Sequence, residues 1–151
     1  MRIYLDVSCL NRPFDDQSQS RIRLESEAVL TILQEIQRGY WTQISSEMAD
    51  IEIQANPDEE RRAQVALLLP DKSAKLKLTT GVWTRAQELQ RLGFKAADAV
   101  HIAAAEAGRA GVFLSCDDRV CRCAKRNKSR MKVDVANPLE WLKEVGNGND
   151  S

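Results

Sequence analysis

Short apolar runs and longer amphipathic stretches alternate along the whole chain. The segments RIYLD, WTQIS, KLKLT, VFLS and MKVDV have the length and apolar content of strands. Between them, apolar residues recur every three or four positions, which is the spacing of a helix that buries one face. This alternation predicts one α/β unit, in which a mainly parallel sheet has helices on both faces.

The helical stretches have recognisable ends. Gly39 and Gly93 follow periodic segments and are predicted to stop helices, and Pro57 is predicted to stand in a first helical turn. We expect residues 1–145 to form a single domain and the polar segment 146–151, GNGNDS, to be a flexible tail. The predicted helices cover residues 20–38, 46–54, 57–69, 80–93, 94–108, 117–127 and 137–145.

One predicted helix carries a carboxylate in an apolar setting. The stretch FKAADAVHIAAAEAGRAG is apolar on nearly every side, and such a helix is usually buried. Asp98 shares a stripe of this helix with Ile102 and Ala105. Either the positive end of the helix dipole favours this acid, or the acid belongs to a functional cluster.

Other acids are predicted to reach the same place. In parallel α/β sheets the carboxyl ends of the strands lie along one edge, where ligands bind. Asp6 ends the first strand, Glu52 lies in the helix after the second, and Asp117 and Asp118 follow the fourth. Since Asp98 lies in the first turns of its own helix, we expect it to point to this edge too.

Some of these positions have neighbours that could act instead. Glu47 and Asp50 lie close to Glu52 in the sequence, and Asp118 is adjacent to Asp117. A single aspartate at a strand end is also compatible with a turn. The prediction therefore depends on the joint arrangement of the acids rather than on any one of them.

Carboxylates that lie close together need a nearby cation to offset their mutual repulsion. Two unit charges about 5 Å apart repel by ~3 kcal/mol at an effective dielectric of about 20. Because oxygen ligands suit hard cations, we predict that Asp6, Asp98 and Asp117 bind Mg²⁺ or Mn²⁺, with Glu52 acting directly or through water. One or two such ions can activate water and bind the oxygens of a phosphodiester.

The composition of the chain limits the partners and the cellular location that we expect for the protein. Lys plus Arg and Asp plus Glu each number 22, so any nucleic-acid surface must be local. No apolar run approaches the ~20 residues of a membrane helix, and MRIYLD contains an acid where a signal peptide is apolar. We expect a cytoplasmic protein with no membrane contact and with reduced cysteines.

Zinc binding by Cys116, Cys121 and Cys123 is less favoured, because their spacing matches no common zinc pattern.

The sharpest charge asymmetry follows the last of these acids. Residues 119–132, RVCRCAKRNKSRMK, contain seven Lys or Arg and no acid. Such a run is usually a solvated helix face. Its position next to Asp117 favours contact with RNA phosphates as the other interpretation. The predicted RNA contacts are Arg119, Arg122, Lys125 and Arg126.

Four segments carry the acids in a recognisable order: YLDVSCLNRPF, SSEMADIEI, GFKAADAVHIAAAEA and FLSCDDR. Together they resemble the PIN domain family, whose members include the VapC-type toxins of bacterial toxin and antitoxin pairs. The resemblance implies a Rossmann-like three-layer α/β/α sandwich and an endoribonuclease that depends on Mg²⁺ or Mn²⁺. By motif, the family's catalytic acids correspond to Asp6, Glu52, Asp98 and Asp117.

The resemblance also implies supporting groups and partners. Ser115 stands where the family usually has Thr and keeps the hydroxyl, while Asn11 and Asp118 are further candidates to support the acids. RNA is the implied substrate, a small antitoxin the implied protein partner and a homodimer the implied assembly. His101 stays outside the catalytic set, because a single imidazole on a packed helix more often makes a local hydrogen bond.

Two other functions are compatible with parts of the pattern. A PIN-like module could bind RNA or a protein without cleavage, although the presence of all four acids argues against it. A haloacid dehalogenase-type phosphatase also has an aspartate after its first strand. That class requires D-x-D there, and here Asp6 is followed by Val7 and Ser8.

Overall fold

One parallel sheet organises the chain. The computed structural model describes residues 1–149, with side chains through residue 146. Its strands are β1 (Arg2–Leu5), β2 (Thr42–Ser46), β3 (Lys75–Leu76), β4 (Val112–Leu114) and β5 (Asp134–Ala136). They lie in the order β3-β2-β1-β4-β5, and every neighbouring pair is parallel. The predicted parallel sheet is confirmed.

Helices connect and flank these strands. A five-residue helix follows β1 directly and was not predicted, since it is too short to show a helical period. Short 3₁₀ turns lie at Arg12–Phe14, Lys72–Ala74 and Lys128–Arg130. The α-helices are α1 (Val7–Asn11), α2 (Ser20–Gln37), α3 (Glu47–Gln54), α4 (Glu59–Ala66), α5 (Thr80–Arg91), α6 (Ala96–Ala107), α7 (Asp118–Arg126) and α8 (Pro138–Asn149).

The side chains of β1 divide between two cores. Ile3 and Leu5 belong to one face of the sheet and Tyr4 to the other, as the two-residue period of a strand requires. Helices α5, α6 and α7 pack on the face of Tyr4, and helices α2 and α8 pack on the face of Ile3 and Leu5. The predicted three-layer α/β/α sandwich is therefore confirmed.

Polar side chains mark where two helices begin. Ser46 caps α3, and Asp58 caps α4 by accepting a hydrogen bond of 3.1 Å from a backbone N–H of the first turn. Helix α4 therefore starts at Glu59. The prediction that Pro57 stands in its first turn is wrong, because the aspartate after Pro57 takes the capping position.

Helix ends agree with the predicted glycine stops. Gly39 and Gly93 adopt positive φ angles of 84° and 118°, a conformation that few other residues tolerate. Helix α8 continues through Asn149, into the segment 146–151 that was predicted to be a tail; residues 150 and 151 lie outside the described residues. In the described part of the chain, no helix combines the length and the apolar character needed to cross a membrane.

A buried carboxylate ties α2 to two other segments. The side chain of Glu25 is 1% exposed and accepts hydrogen bonds from Arg12 at 2.9 Å and from Arg21 at 3.3 Å. It also accepts one from the side-chain amide of Asn137, which directly precedes α8. Because Arg12 is itself only 22% exposed, loss of Glu25 would leave a shielded cation with one of its two acidic partners, Asp15 at 3.0 Å.

The order of the strands changes direction beside β1. The chain runs from β1 to β2 to β3 on one side and then returns to add β4 and β5 on the other. Open α/β sheets bind ligands at such a reversal, outside the carboxyl ends of the strands. Asp6 follows the carboxyl end of β1 at this point.

Candidate functional site

Asp6 is fixed at the end of the central strand. Its backbone N–H donates to the carbonyl of Leu114 at 2.9 Å, which extends the contact between β1 and β4. Asp6 is 5% exposed, and its Oδ2 accepts hydrogen bonds from the hydroxyls of Ser8 and Ser115, each at 2.9 Å. Its Oδ1 accepts none from the described residues. One carboxylate oxygen is thus held by the protein and the other is open to a ligand.

Asp98 lies close to two other acids. It is in the first turn of α6, is half-buried, and forms no hydrogen bond or ion pair within the described residues. Burial, followed by the negative charges of Asp6 and Asp117, raises the pKa of Asp98 from 3.8 to about 6. Acids from three separate segments therefore repel one another in one site.

Glu52 reaches the site through a set of buried contacts. Its Oε1 lies 3.1 Å from Nε2 of His101. Nδ1 of His101 lies 2.6 Å from the hydroxyl of Tyr4, which in turn lies 2.7 Å from the hydroxyl of Ser46. Because Ser46 also caps α3, these contacts join β1 and α6 to the start of the helix that carries Glu52.

His101 is fully buried, and its partners are distant in sequence. The expectation that it makes a local hydrogen bond is therefore wrong. Burial alone would lower the pKa of His101, but the contact with Glu52 and the negative charge of Asp6 outweigh burial and raise it. Donor atoms of Asp6, Glu52 and His101 all lie within 4.8 Å of one another. The imidazole thus belongs to the acidic site.

Burial also changes the acidity of Asp6. Its pKa is raised above 3.8, first by burial and further by the charge of Glu52. His101 and the hydroxyls of Ser115 and Ser8 act in the opposite direction without reversing the shift. Burial first, and the charges of neighbouring acids second, therefore oppose the ionisation of Asp6 and Asp98, and a bound cation would offset both effects.

The two aspartates after β4 have different partners. Asp117 caps α7 by accepting a hydrogen bond of 2.9 Å from a backbone N–H, and its own N–H donates to the hydroxyl of Ser115 at 3.1 Å. Asp118 instead pairs with Arg21, with one N···O distance of 2.8 Å. Ser115 thus connects Asp117 to Asp6, whereas Asp118 has a cation of its own.

The other two acids of α3, Glu47 and Asp50, do not contact His101. Asp50 pairs with a lysine of β3 at 3.0 Å, and Glu47 is exposed at the start of α3. Asn11 lines the same small cavity as Glu52, and its side-chain oxygen accepts a hydrogen bond of 3.2 Å from Arg61. Of the three acids in α3, Glu52 is the one that contacts His101.

A basic groove borders Asp117. Its walls include Arg12, Arg21, Arg119 and Arg122. Arg12 and Arg21 are already paired with acids. Arg119 and Arg122 are exposed, and neither forms an ion pair with a described residue. These two side chains are therefore the cations of the groove that are available to an anionic ligand.

The rest of the basic run extends away from this groove. Lys125 lines a neighbouring cavity together with Asp118 and Glu140. Arg126 lies in the last turn of α7 and lines neither cavity. The structure thus places only part of the predicted RNA-contacting run beside the acids.

The cysteines are not arranged as a metal site. All four thiols are free, and the sulfur atoms of Cys9 and Cys116 are 3.7 Å apart. Within the residues that the structure describes, Cys116, Cys121 and Cys123 do not bring their donor atoms to metal-binding spacing. The arrangement gives no support to the zinc alternative.

The acidic residues fit a hard divalent cation. Oδ1 of Asp6 is open, and Asp98 has no cation partner within the described chain. Glu52 and Asp117 add carboxylates from the two flanking segments. Oxygen donors of this kind are those that Mg²⁺ and Mn²⁺ prefer.

The pH dependence of stability should reveal the crowding at Asp98. The folded protein holds the Asp98 proton more tightly than the unfolded chain does, so stability present below pH 3.8 is lost as the pH rises through about 6. Without metal, the unfolding midpoint of Asp98→Asn should therefore rise relative to wild type across this window. Thermal melts in chelator-treated buffers measure the difference. A difference that stays constant with pH would contradict the raised pKa of Asp98.

Two solved structures share the fold. One is VapBC2 from Rickettsia felis bound to a DNA fragment from its promoter, with a TM-score of 0.61, 12% identity, and coverage of 91% of this chain and 98% of that chain. The other is FitAB bound to the IR36 DNA fragment, with a TM-score of 0.56, 16% identity, and coverage of 91% and 95%. No curated protein matches the sequence significantly.

A family assignment comes from the sequence itself. The sequence model of the PIN domain family matches residues 3–126. This range runs from β1 through α7 and contains all four acids of the site, while β5 and α8 lie beyond it. With the match covering most of the chain and the fold in agreement, the chain belongs to the PIN domain family.

Proposed function

We propose that the protein is an endoribonuclease that depends on Mg²⁺ or Mn²⁺ and is the toxin of a toxin and antitoxin pair. The observation that carries this proposal is a group of donors at the carboxyl edge of the sheet. Asp6, Glu52 and His101 have donor atoms within 4.8 Å of one another, and burial together with the charges of Asp6 and Asp117 raises the pKa of Asp98. Membership in the PIN domain family supports a nuclease. An acidic site of this kind can hold a divalent cation that promotes phosphodiester hydrolysis.

The residues of the site would have separate roles in this reaction. Asp6, Asp98 and Asp117 would hold the ion, and Glu52 would act directly or through water. The bound ion supplies an activated water and neutralises charge on the phosphodiester. Ser115 positions two of the acids, because it donates to Asp6 and accepts from the N–H of Asp117.

The proposed partners are RNA and a small antitoxin, and each has separate support. The basic groove lies beside the acids and suits the phosphates of RNA. The likeness to the VapBC2 and FitAB complexes supports a small antitoxin as the protein partner. The proposed homodimer follows from the family resemblance alone.

Addition of metal should both activate and stabilise the protein. With Mn²⁺ at about 100 times its Kd, we expect a rise of roughly 5 to 10 °C in the unfolding midpoint, because only the folded chain assembles the site. A fluorogenic RNA should be cleaved with the ion and not after chelation. An unmoved midpoint with no heat of binding would contradict the metal site. Binding of metal and RNA without cleavage would favour the PIN-like binding module instead.

The basic groove should set the salt dependence of RNA binding. Replacement of Arg119 and Arg122 together by Gln should weaken binding of single-stranded RNA and reduce the slope of log K against log salt by roughly 1 to 1.5, since fewer counterions are released. Stabilisation by Mn²⁺ should not change. Fluorescence anisotropy at several salt concentrations measures the slope.

A matched variant tests whether position in the groove matters. Replacement of Arg126 and Lys128 by Gln removes the same charge from the far end of the basic run. We expect this variant to keep nearly the wild-type slope. If both double variants reduce the slope equally, the groove has no special role and the whole run acts as a diffuse positive surface.

A further inference from the structure

The only histidine has a ring nitrogen that lacks a well-formed hydrogen bond. His101 is 0% exposed, and its Nε2 has no hydrogen-bond partner among the described residues. Oε1 of Glu52 lies 3.1 Å away, close enough for a hydrogen bond but outside hydrogen-bond alignment. Buried polar atoms are nearly always paired, so this nitrogen requires another explanation.

The contact between His101 and Glu52 has the distance expected for two ligands of one ion. In an octahedral site with bonds of about 2.1 Å, neighbouring donor atoms lie ~3 Å apart. The line between two such donors then makes an angle of about 45° with the bond from either donor to the ion. The 3.1 Å contact between His101 and Glu52 meets the distance condition, and its lack of hydrogen-bond alignment agrees with an off-axis approach. An ordinary hydrogen bond would bring the oxygen onto the N–H axis.

A third donor completes the group. Asp6, Glu52 and His101 come from the end of β1, from α3 and from α6, and their donor atoms lie within 4.8 Å of one another. Since Oδ2 of Asp6 is held by two serine hydroxyls, Oδ1 is the oxygen left for an ion. The three donors thus surround one position at the carboxyl edge of the sheet.

The other ring nitrogen of His101 is held as in known metal sites. Imidazole ligands usually hydrogen-bond through their second nitrogen, which fixes the tautomer and the orientation of the ring. Here Nδ1 can donate to the Tyr4 oxygen at 2.6 Å, and the Tyr4 hydroxyl can donate to Ser46 at 2.7 Å. That arrangement leaves Nε2, the ring nitrogen 3.1 Å from Glu52, with a free lone pair.

We propose that Nε2 of His101 is a direct ligand of the divalent cation, together with Asp6 and Glu52. The inference rests on the proposed function, because it assigns a ligand to the ion of that same site. A nitrogen donor changes the preference of the site, since transition ions bind imidazole better than Mg²⁺ does. The site therefore prefers Mn²⁺ to Mg²⁺.

Pulsed electron paramagnetic resonance on the Mn²⁺-loaded protein tests the ligand directly. The untagged chain contains one histidine, so any imidazole coupling comes from His101. We expect nitrogen modulation of the electron spin echo from bound Mn²⁺, and we expect its pattern to change when the chain is labelled with ¹⁵N-histidine. This readout needs no RNA and no variant.

The outcomes separate this inference from the proposed function. Bound Mn²⁺ without nitrogen modulation would overturn ligation by His101 and leave the metal-dependent nuclease standing. Absence of any bound Mn²⁺, in the spectrum and in the melts, would overturn both. Nitrogen modulation that responds to the label would support the direct ligand.

Two variants give an independent measurement. His101→Asn should lower the ratio of Mn²⁺ to Mg²⁺ affinity by about 10-fold or more, because it removes the nitrogen that favours Mn²⁺. Tyr4→Phe keeps the imidazole but removes its hydroxyl partner, so it should retain the nitrogen modulation. A folded His101→Asn protein with an unchanged affinity ratio would contradict the proposal.

Discussion

Replacement of Asp98 by asparagine is expected to lower RNA cleavage by at least about 100-fold while the protein stays folded. The change keeps the shape of the side chain but removes one negative charge and weakens binding of the ion. Loss of a group that only orients a metal ligand costs about 10- to 100-fold, so loss of a ligand should cost more. The same variant should lose most of the stabilisation by Mn²⁺. A fluorogenic RNA assay beside paired melts measures both effects.

The competing interpretation of Asp98 gives a different result. If the helix dipole alone favours this acid, its replacement should lower stability by ~0.3 to 1 kcal/mol and leave cleavage intact. Asp71→Asn is a matched control, because Asp71 is an exposed acid in the turn before β3. Wild-type cleavage by Asp98→Asn would remove Asp98 from the mechanism.

Glu25→Ala is expected to cost about 3 kcal/mol of stability, or roughly 6 to 12 °C in the unfolding midpoint. Glu25 is buried beside Arg12 and Asn137, and its removal leaves the Asn137 amide without its acceptor and Arg12 with Asp15 as its remaining partner. The loss should be large because the guanidinium of Arg12 is shielded from water and cannot be fully solvated in place. Thermal and urea unfolding of the metal-free protein measure the effect.

A nearby glutamate provides the comparison. Glu27 lies on the same helix but is exposed, so Glu27→Ala should change stability by less than about 0.5 kcal/mol. Equal losses for the two variants would mean that helix propensity, rather than the buried charges, dominates. The Glu25 variant should still be stabilised by Mn²⁺, since Glu25 is not among the acids around Asp6.

Local pattern was enough to predict the strands and most helices, and it led to the prediction that the acids share one edge of the sheet. Asp6 follows an apolar strand and Asp98 begins an apolar helix, and each feature is visible within a few residues. The rule that strand ends share one edge of a parallel sheet then brought the acids together. Strand order was not predictable in this way, because periodicity does not specify which strands pair.

Long-range polar contacts could not be found by pattern. Tyr4 meets His101 across 97 positions, and Arg21 meets Asp118 across the same number. The only local signal for His101 was its place three residues after Asp98, one turn along the same helix. The choice between Asp117 and Asp118 likewise depended on a cation from α2 that no local rule identifies.

The placement of β4 beside β1 bears on how the protein is made. Asp6 is held by Ser115, which lies 109 positions later in the chain. Parallel pairing over such a separation carries a large loop-closure entropy, so we expect it to be a late and slow step of folding. A growing chain on the ribosome that has not yet released residues 112–117 lacks both Ser115 and Asp117. The proposed nuclease activity therefore could not appear before residues 112–117 have left the ribosome, which would delay any attack of the new protein on the messenger RNA that encodes it.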